Sequence, residues 1–546
     1  MPCYACLFEA KSIQEYILRS GRLRHIVGAS ELLDSLTRAL LDAVLAALGP
    51  VNADKVRLSR RAGGAVYLFA DDAAVRDAFR DLWSLTVRQY APDLECVIAV
   101  AEGTTDHAAY RAAADRLQAA RNRQPPLLPA GTPVSRYATR TGEPAVGSDP
   151  KLGLQDQATD RFGRRAFWRR ETDGLTSRFA PDLTVDAWPR NLDYDPDDPE
   201  ERKSVFPFLK DNRYLGLLHL DGNGLGQLIQ RLARRVESSP QDFVPLFRDF
   251  SDAVAAATTA AAQCATSAVL RPRTSASGLL PARPIVLGGD DLTILLRADL
   301  ALPFARSFLT AFEAASREGL AKLRKDHPEA ADVIPDCLTA GGGIAFVKSN
   351  HPFHLGHALV DSIAGLAKRR AKKSLADGAR IPPTLAFHRV TTACHGVYQE
   401  ILESELTCGP ENRKVVTALG VYGLDQHTDG LPALTDLEDL AALLGDEDMA
   451  RGPTRQVLTL LGQDLDGAER RYARWREVMG ERARDRLQKF DTLLGRLCEP
   501  GGGFATYLPV SKDGTPHRTP LGDLTALLAV TQGAGEDQTT DAEDAP

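Results

Sequence analysis

The residues best placed to do chemistry sit in RPIVLGGDDLTILL, where one apolar run passes into another through Gly288, Gly289, Asp290 and Asp291. Two β-branched and leucine-rich runs around a Gly-Gly pair predict a β-hairpin with two carboxylates at its tip. Adjacent carboxylates on a rigid turn repel each other unless one is protonated or a cation lies between them. Mg²⁺ (or Mn²⁺) suits such a place, because hard cations take oxygen ligands and are held by one or two carboxylates together with substrate phosphates.

A third carboxylate is offered upstream, in YLGLLHLDGNGLGQLIQRL. Strand alternation sets Leu215, Leu217, His219 and Asp221 on one face, with Asp221 at the strand's end. Gly222, Gly224 and Gly226 let backbone approach a ligand closely. A helix then begins around Leu225, Leu228 and Ile229, so its N-terminal dipole and the N–H groups of the turn can meet phosphates. An acid-ended strand, a glycine turn, helices and an acid-tipped hairpin together make the arrangement of palm-type nucleotide polymerases and cyclases. There two metals activate a ribose hydroxyl and stabilise its attack on an α-phosphate. Asp221, Asp290 and Asp291 are the expected metal ligands and catalytic carboxylates.

Further on, HPFHLGHALVDSIAGLAKRRAKKS predicts a helix with Leu355, Leu359, Ile363 and Leu366 as its apolar stripe. Lys368 and Lys372 stack one turn apart on the polar side, where they could neutralise β- and γ-phosphates. His351, His354 and His357 crowd the helix start without nearby acids, and read as capping or surface residues.

These elements need a large frame. At 546 residues the chain exceeds a single core. Its net charge of −7, from 66 basic and 73 acidic residues, argues against nucleic-acid binding over the whole surface and leaves room only for local basic patches. The N-terminal stretch lacks a signal-peptide pattern. The alanine-rich segment Ala253 to Leu270 carries Thr258, Thr259, Gln263, Thr266 and Ser267, which reads as a packed helix and not a membrane span; a cytoplasmic protein is expected. The eight cysteines are expected to be reduced and mostly buried, with Cys3 and Cys6 on opposite faces of a strand and so neither zinc site nor redox pair.

The chain also repeats itself. A strand from Tyr4 to Phe8, a helical stretch, the hairpin around RRAGGAVYLFADD, a further helix and a strand form a βα…ββαβ unit, the ferredoxin-like plan. Residues 206–395 follow the same plan, with Gly63-Gly64-Ala65-Val66 standing where the later copy has Gly288-Gly289-Asp290-Asp291. The first copy lacks the acids, so it is expected to be catalytically silent, its Gly63-Gly64 hairpin and the turn at Lys11 and Ser12 lining the acceptor side. The expected fold is α+β: a degenerate first palm (1–125), an irregular linker (126–205), a second palm with GGDD (206–395), an α-helical domain (396–532) with TDLEDLAALL capped by Thr435, and an acidic, disordered tail (533–546).

With these residues in hand, the sequence resembles the large, polymerase/cyclase subunit of type III CRISPR effector complexes. The resemblance rests on KSIQEYILRSGRLRHIVGASELL, YLGLLHLDGNGLG, LGGDDLTILL, LAKRRAKK and the LAFH strand. It implies two palms, the first degenerate, and conversion of ATP to cyclic oligoadenylates that signal antiviral defence. By position it implies Asp221, Asp290 and Asp291 as ligands of Mg²⁺ (or Mn²⁺). Gly222, Asn223, Gly224, Leu225 and Gly226 would form the phosphate turn, with Gly288 and Gly289 also at the nucleotide, and Lys368 and Lys372 would hold the triphosphate. ATP, guide and target RNA and other effector subunits are the implied partners. Two family features are not expected here. None of the eleven histidines is followed by Asp, so no HD nuclease is expected, and SRYATRTGEPAV has no cysteine where many members hold zinc.

Two other functions compete. A diguanylate cyclase carries a similar GGDEF hairpin, but Asp291 and Leu292 stand in place of its Glu-Phe. A non-catalytic palm scaffold binding RNA and partner subunits is the third reading.

Overall fold

The structure is a computed structural model that describes residues 2–18, 23–91, 94–123, 174–193, 204–209, 212–239, 242–373, 380–391, 396–409, 414–424, 431–445, 451–497 and 517–531. SRYATRTGEPAV, YDPDDPEE and the acidic tail lie outside the described residues. The chain divides into two compact units. One comprises Met1–Pro207, Gly224–Ile294 and Thr310–Leu338, and the other Phe208–Asn223, Leu295–Leu309 and Thr339–Pro546. Residues 206–395 are thus shared between the two.

In the first unit, β1 (Cys3–Ala10) leads through short α1 (Ile13–Leu18), α2 (Leu23–Leu36) and α3 (Ala39–Ala47) to the hairpin β2 (Val56–Ala62) and β3 (Ala65–Ala70). Helix α4 (Ala73–Tyr90), β4 (Cys96–Gly103) and α5 (Asp106–Arg121) follow. The strand order β2-β3-β1-β4 is the ferredoxin-like arrangement. Phe8 lies opposite Val66 and Ile98, and its ring meets Trp83 of α4 edge-on at 5.3 Å. Alternate residues of the sheet therefore face α4, while the set containing Glu9, Tyr67 and Phe69 faces the other way. On that side Phe69 meets Phe243 at 6.0 Å.

Phe243 opens α7 (Phe243–Ala265), which is preceded by α6 (Leu225–Arg235) and followed by β6 (Ala282–Gly288). By length and composition Phe243–Arg273 could cross a membrane, but Ala257, Thr258, Ala261, Ala262 and Ala265 are buried in the protein's own core. The cysteine expectation is corrected: Cys6 and Cys337 are buried, whereas Cys96 and Cys264 are exposed.

The strand β7 (Asp291–Arg297) and helix α8 (Ala298–Asp326) run from one unit into the other. In the second unit β5 (Tyr214–Gly222) pairs antiparallel with β8 (Ala340–Lys348) from Tyr214↔Lys348 to Gly222↔Ala340. β8 runs parallel to β9 (Thr384–Arg389). Helix α9 (Phe353–Lys373) covers β8. The second copy therefore repeats the βαββαβ succession. A Cβ on Gly343 would stand 2.7 Å from Ile363 Cγ2, so this glycine of β8 lets α9 lie close on the sheet.

The C-terminal region is helical, as expected, and its helices include Leu434–Gly445, Leu465–Arg482, Arg484–Leu497 and Leu521–Thr531. Trp475 stacks on Tyr472 at 5.7 Å and meets Phe490 at 5.1 Å in its core. Two details differ from the sequence reading. A small three-stranded sheet of Thr407–Cys408, Val415–Val416 and His517–Arg518 joins the helices. The helix begins at Leu434, which leaves Thr435 inside its first turn and not at the cap.

Asp523 ties this region together. Its carboxylate accepts from Leu419 N at 2.8 Å and Tyr422 Oη at 2.5 Å. Complete burial pushes its pKa up to about 6, with those hydrogen bonds opposing the shift. A carboxyl with a raised folded-state pKa binds its proton more tightly when folded, so the stability it contributes is present below the unfolded pKa and lost as pH rises through 6. Urea midpoints of the wild type are expected to fall between pH 4 and pH 6 relative to those of Asp523→Asn. Parallel pH profiles for the two proteins would refute this.

Candidate active site

Only Gly289 and Asp290 separate β6 from β7. Gly289 has φ +59°, a left-handed value, while Asp290 does not share it. In the first palm Gly63 and Gly64 separate β2 from β3, with φ +59° and +70°. The structural match is therefore Gly63 with Gly289, one residue away from the sequence alignment. Gly64 holds the place of Asp290, and Ala65 that of Asp291. A tight hairpin turn with positive φ at both central residues demands residues such as Gly, whereas one with positive φ only at the first leaves the second open to a side chain. The second palm uses that freedom to carry Asp290.

Three neighbours fix this tip. Ser12, at φ +48°, turns the chain out of β1 so that Gln14 Nε2 reaches Asp291 Oδ2 at 3.1 Å. Thr258 Oγ1 of α7 donates to Gly289 O at 2.6 Å. A Cβ on Gly288 would lie 3.5 Å from Gly63 Cα, so the two glycine hairpins abut. Gly64 itself packs: a Cβ there would fall 2.4 Å from Ile13 Cδ1. That makes its first role a steric one, in place of the expected open acceptor wall.

Beside the tip lies a pocket of about 670 Å³, open mouth included, to which Asp290, Gly289, Leu225 and Ile229 contribute from the second copy and Arg60, Tyr67 and Tyr110 from the first. Its wall is aromatic. Tyr110 lies 4.9 Å from Phe243, Phe243 4.5 Å from Phe247, and the Arg60 guanidinium 5.6 Å from the Tyr67 ring centre. Leu225 thus lines a pocket with its side chain, and a Cβ on Gly226 would meet open space.

In the second unit Asp221 stands opposite Gly341, one residue before the end of β5. Its Oδ2 receives a hydrogen bond from Lys368 Nζ, which also lies 3.4 Å from Gly222 O. Burial pushes the Lys368 ammonium down to about 8, and the charge of Lys372 adds to it. Lys368 is therefore a partner of Asp221 in this state and not a free triphosphate contact, whereas Lys372 is exposed. Asn223 also departs from expectation. Its N–H donates to Thr339 O at 2.8 Å and its amide to Thr339 Oγ1 at 3.1 Å and to Pro382 O at 3.4 Å, so it braces the turn from inside and has no N–H left for a phosphate. Gly224, at φ +72°, then starts α6. His357 is a core residue, its imidazole pushed down to about 4 by burial.

The sequence reading missed a counterpart of Asp221. Glu9 lies one residue before the end of β1 opposite Val97, as Asp221 lies opposite Gly341. It is buried, and it accepts from Arg121 at the end of α5 and from Tyr67 Oη. Each palm thus sets an acid at the end of its first strand against a cation from the helix after its last strand. Matching strand ends would have found it.

Among the described residues no three His, Cys, Asp or Glu side chains gather as a ready metal cage. The carboxylate pair Asp290 and Asp291 still fits a hard divalent cation by donor type, since oxygen ligands suit Mg²⁺ and Mn²⁺. Lys368 on Asp221 is a cation already in place. Replacing it by Met should tighten Mn²⁺ binding by up to about fivefold, the worth of roughly 1 kcal/mol for a partly exposed pair. Mn²⁺ titration followed by EPR measures this, and unchanged affinity would show that Lys368 does not compete.

The family model described as Cas10/Cmr2, second palm domain, matches residues 214–376. No curated protein matches the sequence. Similar solved structures include a Csm1-Csm4 cassette in complex with cA4, at 12% identity and TM-score 0.45 over 97% of this chain and 70% of that one. A cassette in complex with AMPPNP aligns at 14% identity and TM-score 0.40 over the same shares. Csm1 of T. onnurineus aligns at 14% identity and TM-score 0.42 over 97% of this chain and 69% of that one. The family-model match runs from the β5 strand through the basic helix α9, so this stretch of the chain is similar to the second palm domain of Cas10/Cmr2.

Proposed function

We propose that the chain is a metal-dependent nucleotidyltransferase that converts ATP into cyclic oligoadenylate-type nucleotides in type III CRISPR-like antiviral defence. The observation that carries this reading is the shared wall of Asp290 and an aromatic pocket contributed by both palm copies. An aromatic cage suits the face of a purine, and a carboxylate at its edge suits the metal-bound phosphates of the same nucleotide.

Asp290 and Asp291, with Asp221, would hold Mg²⁺ or Mn²⁺, which when bound supplies activation of the attacking hydroxyl and neutralisation of the α-phosphate. Gln14 orients the Asp291 carboxylate, and Thr258 fixes the carbonyl beside Asp290. Tyr110, Phe243 and Phe247 would seat the base and exclude water from it. Lys372, exposed at the end of α9, is a cation available to phosphate oxygens. Work in the cytoplasm, with guide and target RNA and other effector subunits as partners, completes the proposal.

The test is to incubate pure protein with ATP or GTP and Mg²⁺ or Mn²⁺ and identify products by mass spectrometry. ATP-derived cyclic or linear oligonucleotides are expected, and GTP-only products would favour the diguanylate cyclase instead. Asp290→Ala should lower product at least a hundredfold while the melting temperature stays the same or rises, because removing one carboxylate relieves repulsion. Full product from that variant would end the metal-site assignment.

The pocket makes a separate prediction. Base stacking on an aromatic side chain is worth about 1–3 kcal/mol, so Tyr110→Ala or Phe247→Ala should raise KM for ATP by roughly 5- to 150-fold with a smaller change in kcat. Unchanged KM in both would place the base elsewhere.

A further inference from the structure

Strand β6 ends its sheet, with β7 on one side only. The outward carbonyls of such an edge need partners when they are buried. In a strand, alternate carbonyls point to the same edge, so Ile285 and Leu287 form one row. Ser30 Oγ of α2 donates to Ile285 O, and Arg178 Nη1 donates to Leu287 O. Arg178 belongs to a short 3₁₀ turn, Leu175–Arg178, in the stretch expected to be mere linker.

The Arg178 side chain is only 8% exposed and touches three elements at once. Besides Leu287 O, its Nη1 lies 3.0 Å from Asp34 Oδ1 of α2, and its Nη2 3.3 Å from Thr259 Oγ1 of α7. The next residue of α7 toward the N terminus, Thr258, holds Gly289 O. The turn is itself anchored, because Leu175 N donates to Glu31 of α2 at 3.1 Å. One guanidinium therefore joins the first palm's α2, the helix α7 and the strand that ends in the acidic tip, three residues before Asp290.

We propose that Arg178 is a positioning residue, which sets the Asp290–Asp291 hairpin by locking the outward edge of β6 to α2 and α7. The proposal rests on the nucleotidyltransferase reading for its kinetic consequence but not for its structural one. A guanidinium has the fixed, planar fork needed to meet a carboxylate, a carbonyl and a hydroxyl together, and a lysine ammonium does not. Arg178→Met keeps much of the buried volume and removes every donor.

In Arg178→Met, kcat for nucleotide conversion should fall at least tenfold with KM for ATP within twofold of wild type. Arg178→Lys, which keeps a charge for Asp34, should lie between the two. Amide hydrogen exchange over residues 282–297 should quicken at least tenfold in Arg178→Met, while the α4 amides stay as in the wild type. If Arg178→Met does not fold, Arg178→Lys carries the same comparisons, with at least threefold effects. Wild-type exchange in the hairpin would overturn the proposal whether or not the wild type converts ATP. Faster exchange with an unchanged kcat, in an active wild-type background, would overturn it too. An inactive wild type would sink the nucleotidyltransferase reading alone and leave exchange to decide the clamp.

Discussion

Repulsion between two neighbouring carboxylates governs the tip at Asp290 and Asp291. Without a cation, two negative charges a few ångströms apart must be held in place by the frame around them. The frame does this with neutral donors and backbone contacts. Gln14 donates to Asp291, Thr258 holds the carbonyl of Gly289, and Gly288 rests against Gly63. These partners come from the first palm and from α7, so the first copy has a structural reason to be present. A hairpin so braced would change little in shape on meeting a cation, and less binding energy would go into ordering it.

The duplicated plan was legible in the sequence because its signals are local. Apolar alternation or continuous apolar runs mark β1, β5, β6 and β7, and the glycine pairs mark both hairpins. What the sequence could not convey was register. A Gly-Gly pair does not say which glycine enters the turn, and that depends on whether one or both central residues take positive φ. The alignment of Gly63 with Gly288 was therefore off by one, although the conclusion that the first copy lacks both acids survives it, since Gly64 and Ala65 occupy the two places.

Long-range partners were less legible. Gln14 is 277 residues from Asp291 and Arg178 is 109 from Leu287, and neither belongs to a motif. The basic end of α9 read as a phosphate clamp because charge and spacing were visible, whereas the acid opposite Lys368 depends on how closely α9 can lie on β8. Gly343, whose added Cβ would stand 2.7 Å from Ile363 Cγ2, decides that. Asn223 misled for a related reason: a polar residue in a glycine turn looks ligand-facing until Thr339 is found behind it.

The two palms solve one electrostatic problem in different ways. Each ends its first strand with a buried or half-buried acid, which in a partly apolar setting needs a cation. In the first palm the cation is the guanidinium of Arg121, whose planar fork bonds carboxylates with fixed geometry. Tyr67 adds a further donor to the same carboxylate, so Glu9 is fully engaged by the protein itself. In the second palm the cation is Lys368, a compact charge on a flexible stem, and Thr293, not a tyrosine, stands at the step of β7 equivalent to Tyr67. The first palm, with Gly64 and Ala65 where the second has Asp290 and Asp291, satisfies its remaining carboxylate, Glu9, from its own side chains.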